Sequence, residues 1–301
     1  MTGPEMPDVS VVVVTFNALP YIERCLESVS GHETIVVDHG STDGTVAVVR
    51  ERFPDALLIE QVNRGLGAGW NAGIRAASGR YFLLLNADAW AVGSALERLV
   101  EFADANPEAA IVGPRLVNVD GSLQRSARGF PTLWRLATEY LFLRKLAPHS
   151  TALNAFYAGG FEHDEVREVD FLMGACLLVR RDAAEAVGLV DESFFMFNEE
   201  TDWCYRFCAA GWKVLFYPGA EVVHVGGASH GGRMFDENVR SHLRFLEKHH
   251  GHQEAERARR LLLVALRLRG LVFRGDRGRM YRDVARWLTT GPARRLLDRP
   301  R

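Results

Sequence analysis

The residues best equipped for chemistry stand in short polar groups behind apolar runs. "YFLLLNAD" ends in Asn86 and Asp88, two oxygen-bearing side chains at i and i+2 that can turn together into a crevice past a strand. Mg2+ and Mn2+ favour oxygen ligands, and Mg2+ typically takes one or two protein carboxylates while substrate phosphates and water complete its shell. "FFMFNEETDW" places Glu199, Glu200 and Asp202 behind an aromatic, strand-like run at the start of a helix. Adjacent, partly buried acids raise one another's pKa, which makes a usable general base. "VVHVGGAS" adds the imidazole of His224 after another apolar run. Taken singly, each group has a plainer account: an Asx-turn for Asn86 and Asp88, helix-dipole stabilisation for the acids, a structural histidine for His224.

The elements that would have to position them follow from periodicity. "SVVVVTFN" is a continuous β-branched run, the mark of a strand buried on both faces. It is followed by Ile22, Cys25, Leu26 and Val29 at helical spacing, with Gly31 as a stop. "TIVVDHGSTDGT", "ALLIEQ", "NRGLGAGWNAGIRAAS", "YFLLLNAD", "SALERLVEFADANP" and "AAIVGPRLV" continue the alternation. This βαβα order predicts an α/β fold with an open, mostly parallel sheet flanked by helices. Ligands of such sheets bind beyond the carboxyl ends of the strands. The polar residues gather at those ends: Thr15 and Asn17, then Asp38 with His39, then Asn63 and Arg64, then Asn86 and Asp88. Four such ends together point to a ligand site where one alone would be a turn.

After residue 118 the rhythm changes. "VNVDGSLQ" reads as a hairpin around an Asp-Gly turn, residues 131 to 147 read as helical, and 148 to 168 as a long loop. Further strands around one helix follow, and from about Asp236 the chain is helical. The expected organisation is an α/β domain over 1–235, with one half at about 9–118 and a second at about 119–235. A basic amphipathic tail covers 236–301.

Charge is unevenly spread. Residues 251–301 hold 14 Arg against 5 acids, so this stretch carries +9 and residues 1–250 carry −11 of the net −2. The acidic body argues against a nucleic-acid partner. The Arg- and Leu-rich stretch from 255 to 301 suits either a helical cap with a solvated Arg face or peripheral contact with anionic lipid. Cys25, Cys176, Cys204 and Cys208 form no CxxC pair and read as buried thiols. With no signal-peptide pattern and no run of 18 apolar residues, the expectation is the cytoplasm, with the inner face of the plasma membrane as a peripheral station.

Gly67, Gly69 and Ala72 fit GxGxxA, and Asp88 follows 19 residues after Gly69, which is a dinucleotide fingerprint on paper. It falls in the third βα unit rather than the first, and it leaves Asp38 and the later acids without a role. An NAD-type oxidoreductase therefore stands as the alternative reading, beside a catalytically silent binding protein.

In order along residues 9 to about 230, "VVVVTFN", "IVVDHGSTDGT", "NRGLGAGWNAGI", "LLLNAD", "GACLLVRRDAAEAVGLVDESFFMFNEETDWCYRFCAAGW" and "HVGGAS" resemble glycosyltransferase family 2, inverting enzymes with a GT-A fold. The Asn-x-Asp form and the "FFMFNEETDWCYR" block look most like bacterial rhamnosyltransferases that add L-rhamnose to polyprenyl diphosphate-linked N-acetylglucosamine. The resemblance implies a nucleoside diphosphate sugar donor such as dTDP-rhamnose, a saccharide or lipid-linked acceptor, and a divalent cation, Mg2+ or Mn2+. It implies nucleotide contacts from Thr15, Asn17, Asp38, Arg64, Asn71, Asn86 and Ala87, metal contacts from Asp88 and His224, and Glu200 as the base with Glu199 before it. Asp202 and Arg206 would hold the helix or the acceptor. This chain departs from the pattern at Asn86, where the family's first Asp is usual, at His39, where Asn is usual, and at Glu200, one methylene longer than the usual Asp.

Overall fold

The computed structural model describes residues 8–226 and 234–290. The "GAS" end of the His224 motif and the last arginines of the tail, from residue 291, lie outside the described residues.

The chain divides into two compact units. The first comprises Met1–Ala127, Glu162–Phe195 and Glu199–Gly231, and the second Arg128–Phe161, Met196–Asn198 and Gly232–Arg301. The first unit opens with β1 (Val9–Thr15), α1 (Ile22–Glu27), β2 (Glu33–Asp38), α2 (Thr45–Arg52), β3 (Leu57–Glu60), α3 (Leu66–Ala76) and β4 (Tyr81–Asn86). It continues through β5 (Ala89–Ala91), α4 (Ala95–Ala105), β6 (Ala109–Val117), β7 (Leu123–Gln124) and β8 (Ala127–Arg128). In chain order, α5 (Leu133–Tyr140) comes next and belongs to the second unit. The first unit resumes with β9 (Arg167–Glu168), β10 (Phe171–Leu172), β11 (Cys176–Arg180), α6 (Arg181–Val187), α7 (Glu199–Ala209) and β12 (Lys213–His224).

The main sheet runs β3-β2-β1-β4-β11-β6-β12-β5, with β7 on β6 and β9 on β12. The neighbours in β3-β2-β1-β4 are parallel, as is the β6 and β12 pair, whereas β11 enters antiparallel between β4 and β6. Burial explains the continuous apolar runs: every residue of β4 from Tyr81 to Leu85, and Val11, Val12 and Val13 of β1, is inaccessible to solvent or nearly so. Register then lines up the strand ends. Thr15 pairs with Asp38, Val14 with Asn86, and Asp38 with Glu60, so the polar tips of four strands finish at one level.

Helix α3 presses onto this sheet through its glycines. A Cβ at Gly73 would overlap Val12, and one at Gly69 would sit 2.7 Å from Val14 and 2.8 Å from the His39 ring. Gly69 of the fingerprint-like stretch thus serves helix-to-sheet packing, while Gly67 faces Val190. Gly65 caps the same helix at φ 102°, and a Cβ there would collide with the Phe195 backbone, whose carbonyl accepts the Leu66 N–H at 3.0 Å.

Two expectations change. "FFMF" is no strand: Phe197 and Asn198 take φ of 66° and 64°, a left-handed turn that breaks any ladder and delivers the chain into α7. The region holds two helices, α6 and α7, not one. The Arg-rich tail is also no separate piece. It forms α8 (Phe235–His250), α9 (His252–Val272) and α10 (Gly275–Trp287), and these group with residues 128–161. Two of its arginines are buried rather than solvated. Arg269 donates to the carbonyls of Tyr140 at 2.8 Å and Glu139 at 2.7 Å, with its guanidinium 3.9 Å from the Phe142 ring centroid. Arg259 donates to the Leu288 carbonyl at 2.6 Å. Each caps the end of another helix, where carbonyls lack intrahelical partners.

Gly65→Ala combines a disfavoured φ with a backbone collision, so it is expected to lower the unfolding free energy by at least about 1–3 kcal/mol. Urea denaturation checks this, and an unchanged midpoint would contradict the packing described.

Candidate active site

The loops after β1 and β2 are zipped together at the strand ends. The Asn17 Oδ1 accepts the Thr42 N–H at 2.8 Å, and the Asn17 N–H donates to the Ser41 hydroxyl at 2.8 Å. Asn17 can do this because it adopts φ 51°, a conformation Asn tolerates better than most residues. Asp38 is buried, and its Oδ2 accepts the N–H groups of Gly40 at 2.8 Å and Ser41 at 2.9 Å. Its carboxylate therefore shapes the loop floor. Thr15 is buried with an unpartnered hydroxyl. His39 is buried beside Gln61 Nε2 at 3.0 Å, and burial holds its pKa below the ordinary imidazole value. Arg64 is exposed on the β3 side, with its charge felt at His39 and Glu192.

Asn71 stands in α3 and faces the segment before α7. It is buried, its Nδ2 donates to the Val190 carbonyl at 2.8 Å and to Glu192 at 2.9 Å, and its Oδ1 accepts the Val190 N–H at 3.0 Å. Those bonds tie α3 to the segment before α7, and the Asn71 amide helps hold the Glu192 carboxyl below the usual range. Asp202 and Arg206 are likewise structural. Their ion pair at 2.9 Å aims the guanidinium at the carbonyls of Val187, Gly188 and Leu189, which close α6.

Asp88 and His224 are brought together by strand pairing. Asp88 lies in the turn from β4 to β5, Ala87 is buried beside it, and His224 ends β12, which pairs antiparallel with β5 so that His224 faces Ala89. The Asp88 carbonyl accepts the Val225 N–H at 3.0 Å. This pairing brings His224 Nε2 to 3.4 Å from Asp88 Oδ1 and 3.4 Å from Asn86 Nδ2. The other ring nitrogen, Nδ1, is 2.6 Å from Gln124 Oε1. Gln124 is oriented by its own amide, which donates to Asn118 Oδ1 at 3.0 Å and to the His224 carbonyl at 3.3 Å. Its oxygen can only accept, so Nδ1 carries a proton, the outer-shell arrangement common to metal-bound histidines.

A carboxylate and an amide oxygen suit Mn2+ or Mg2+, whereas an imidazole Nε2 is a ligand more usual for softer transition metals. Among the described residues no group of three or more His, Cys, Asp and Glu is placed to hold an ion, so Asp88 and His224 would supply part of a shell that diphosphate oxygens and water complete.

Glu199 and Glu200 open α7, Glu199 buried and Glu200 partly so. A Cβ built at Gly174 would lie 3.8 Å from the Glu200 Cβ and 2.8 Å from Trp70, and the next residue, Ala175, accepts the Asn86 N–H at 2.9 Å. Gly174 and Ala175 thus join the start of α7 to the end of β4. Sequence reasoning missed Gln124 and Gly174. Gln124 followed a recognised hairpin, but no spacing tied it to His224, 100 residues later.

A mixed sheet with its donor-atom groups at the parallel strands' carboxyl ends is the GT-A class of glycosyltransferase fold. Residues 10–188 match the model of the Glycosyl transferase family 2, and the chain belongs to that family and is a glycosyltransferase. It is 34% identical over 232 residues, 71% of its length and 75% of the relative's, to the N-acetylglucosaminyl-diphospho-decaprenol L-rhamnosyltransferase of Mycobacterium tuberculosis (strain H37Rv). Among solved structures, the mannosyltransferase PcManGT from Pyrobaculum calidifontis, in complex with GDP-Man and Mn2+, aligns with TM-score 0.53 and 18% identity, covering 98% of this chain and 84% of that one. GalNAc-T7 with UDP, GalNAc and Mn2+ aligns with TM-score 0.60 and 15% identity over 98% of this chain, which spans 58% of that protein's length. An oxidoreductase finds no support here.

Replacing Gln124 by Leu removes the acceptor that sets the His224 tautomer, and Mn2+ affinity in the presence of a nucleoside diphosphate is expected to fall about 10- to 100-fold. Gln124→Glu keeps an acceptor and should lose much less. Mn2+ titration followed by electron paramagnetic resonance reads both, and equal affinity in wild type and Gln124→Leu would contradict the assignment.

Proposed function

We propose that this glycosyltransferase moves L-rhamnose from dTDP-rhamnose to a polyprenyl diphosphate-linked N-acetylglucosamine during cell-wall or polysaccharide assembly. The observation that carries the reading is the similarity to the decaprenol-linked rhamnosyltransferase, which extends over 75% of that protein's length. The opposition of Asp88 and His224 at the end of β4 is consistent with it.

In this reading Asp88 and His224 hold a divalent cation, with Asn86 beside them. The cation, when bound, neutralises charge on the departing diphosphate. The loops after β1 and β2, with Thr15, Asn17 and Asp38, form the nucleotide floor, Ala87 lies against it, and Arg64 faces the phosphates. Glu200 takes the proton of the acceptor hydroxyl as that oxygen bonds to the anomeric carbon. The bond from that carbon to the diphosphate oxygen breaks, the electron pair leaves with the diphosphate, and the anomeric configuration inverts. Glu199 packs behind the base, where a Cβ at Gly67 would approach its Cβ to 3.7 Å. Asn86, being neutral, leaves the cation with one carboxylate less than an Asp-x-Asp site, so looser metal binding is part of the proposal.

Glu200→Gln removes the base without removing volume. Transfer to the lipid-linked acceptor should fall by about 10²- to 10⁴-fold, while affinity for the nucleoside diphosphate stays near that of the wild type. Single-turnover assays beside nucleotide titration separate the two quantities. Turnover close to wild type would remove Glu200 from the role of base.

A further inference from the structure

The second unit carries a surface that glycosyl transfer does not require. Helix α9 buries one face through Ala255, Ala258, Leu262, Ala265 and Leu266, yet its opposite face is also apolar. Val264 is 56% exposed, Leu268 51%, Leu271 81% and Val272 75%. At offsets of 4, 3 and 1 these four fall on one stripe of a helix of 3.6 residues per turn. A contiguous apolar ridge on the outside of a folded unit marks a surface for a partner or a membrane.

Charge indicates which of the two. On one flank of the ridge, α9 and α10 form an open hollow of about 420 Å³, lined mostly by apolar atoms of residues that include Arg267, Gly270, Leu271, Arg282, Ala285 and Arg286. Arg282 is set in place by donating to the Gly270 carbonyl at 2.8 Å. Arg267 is exposed and forms no ion pair among the described residues, and Arg286 meets only the exposed Asp283 at 3.5 Å. Arg274 follows the helix, exposed and likewise without an ion pair among the described residues. An apolar ridge edged by cations that lack strong internal partners is complementary to an anionic bilayer, which offers acyl chains to the ridge and phosphate oxygens to the guanidinium groups.

We propose that this outer face of α9, with the exposed arginines beside it, is the docking surface by which the protein lies on an anionic phospholipid membrane. Leu271 and Val272 enter the acyl boundary, and the exposed Arg267 and Arg286 meet lipid headgroup phosphates. The contact is independent of the sugar donor, so it stands or falls apart from the rhamnosyl reading.

Flotation of the full chain with vesicles of phosphatidylglycerol and phosphatidylcholine, against phosphatidylcholine alone, tests the proposal without any acceptor lipid. The wild type should float with the anionic vesicles only, and less as salt is raised. The exposed pair Leu271→Glu with Val272→Glu should lose about tenfold or more in partition, as should Arg267→Glu with Arg286→Glu, while both variants keep the wild-type melting temperature. Equal flotation of wild type and both double variants would overturn the assignment. So would a wild-type dimer in light scattering that Leu271→Glu disperses while vesicle binding is absent, since the ridge would then serve a second copy of the chain.

Discussion

The site depends on one backbone pairing, that of β5 against β12. It is three residues long on the β5 side, and it sets His224 opposite Ala89 and delivers the Val225 N–H to the Asp88 carbonyl at 3.0 Å. Without it, the turn that holds Asp88 would lose the backbone bond that ties it to the end of β12. The pairing is possible because β6 and β12 run parallel along much of their length, with irregularities between Lys213 and Val214 and between Tyr217 and Glu221. The strand is thereby carried past the sheet's carboxyl edge to the turn that holds Asp88. From there the rest follows in sequence: Gln124 fixes the imidazole, Asn86 comes within reach of its Nε2, and Ala175 fastens the end of β4 to the segment beside Glu200.

Much of this was legible in the residues because the physics there is local. A β-branched run buried on both faces ends where its backbone must meet polar partners, so "VVVVTFN" and "YFLLLNAD" disclose both the strands and their ligand-facing ends. The Asp-Gly turn of "VNVDGSLQ" was equally plain, and Gly121 does take φ 81°. What stayed hidden was set by partners distant in sequence. Asn71 looks like a ligand residue in a glycine-rich stretch until Val190 and Glu192, more than 100 residues later, take up its amide. The aromatic run "FFMF" has the composition of a strand, yet Phe197 and Asn198 are left-handed, a conformation that Asn tolerates but that an aromatic residue adopts only where tertiary context enforces it.

The basic tail teaches the same lesson about charge. Counting arginines from residue 251 onward suggested one solvated face, but the structure sorts them by task. Arg259 and Arg269 are buried and spend their donors on the ends of other helices, where unpaired carbonyls attract cations. Arg267 and Arg286 stay outside, beside an apolar ridge. Net charge therefore indicated a surface, while packing decided which residues form it. No described helix is long and apolar enough to cross a membrane.

The claim at the centre of this account is that Asp88 and His224 jointly receive a cation together with a nucleoside diphosphate sugar. Its most direct measurement is the melting temperature with dTDP-rhamnose, with and without Mn2+, in the wild type and in Asp88→Asn. A ligand bound at 100 times its Kd stabilises the native state by about 2.7 kcal/mol, a shift that thermal unfolding resolves easily. The account predicts that Mn2+ and dTDP-rhamnose together raise the wild-type melting temperature well beyond either alone, and that Asp88→Asn abolishes this synergy. A synergy of equal size in Asp88→Asn would contradict it.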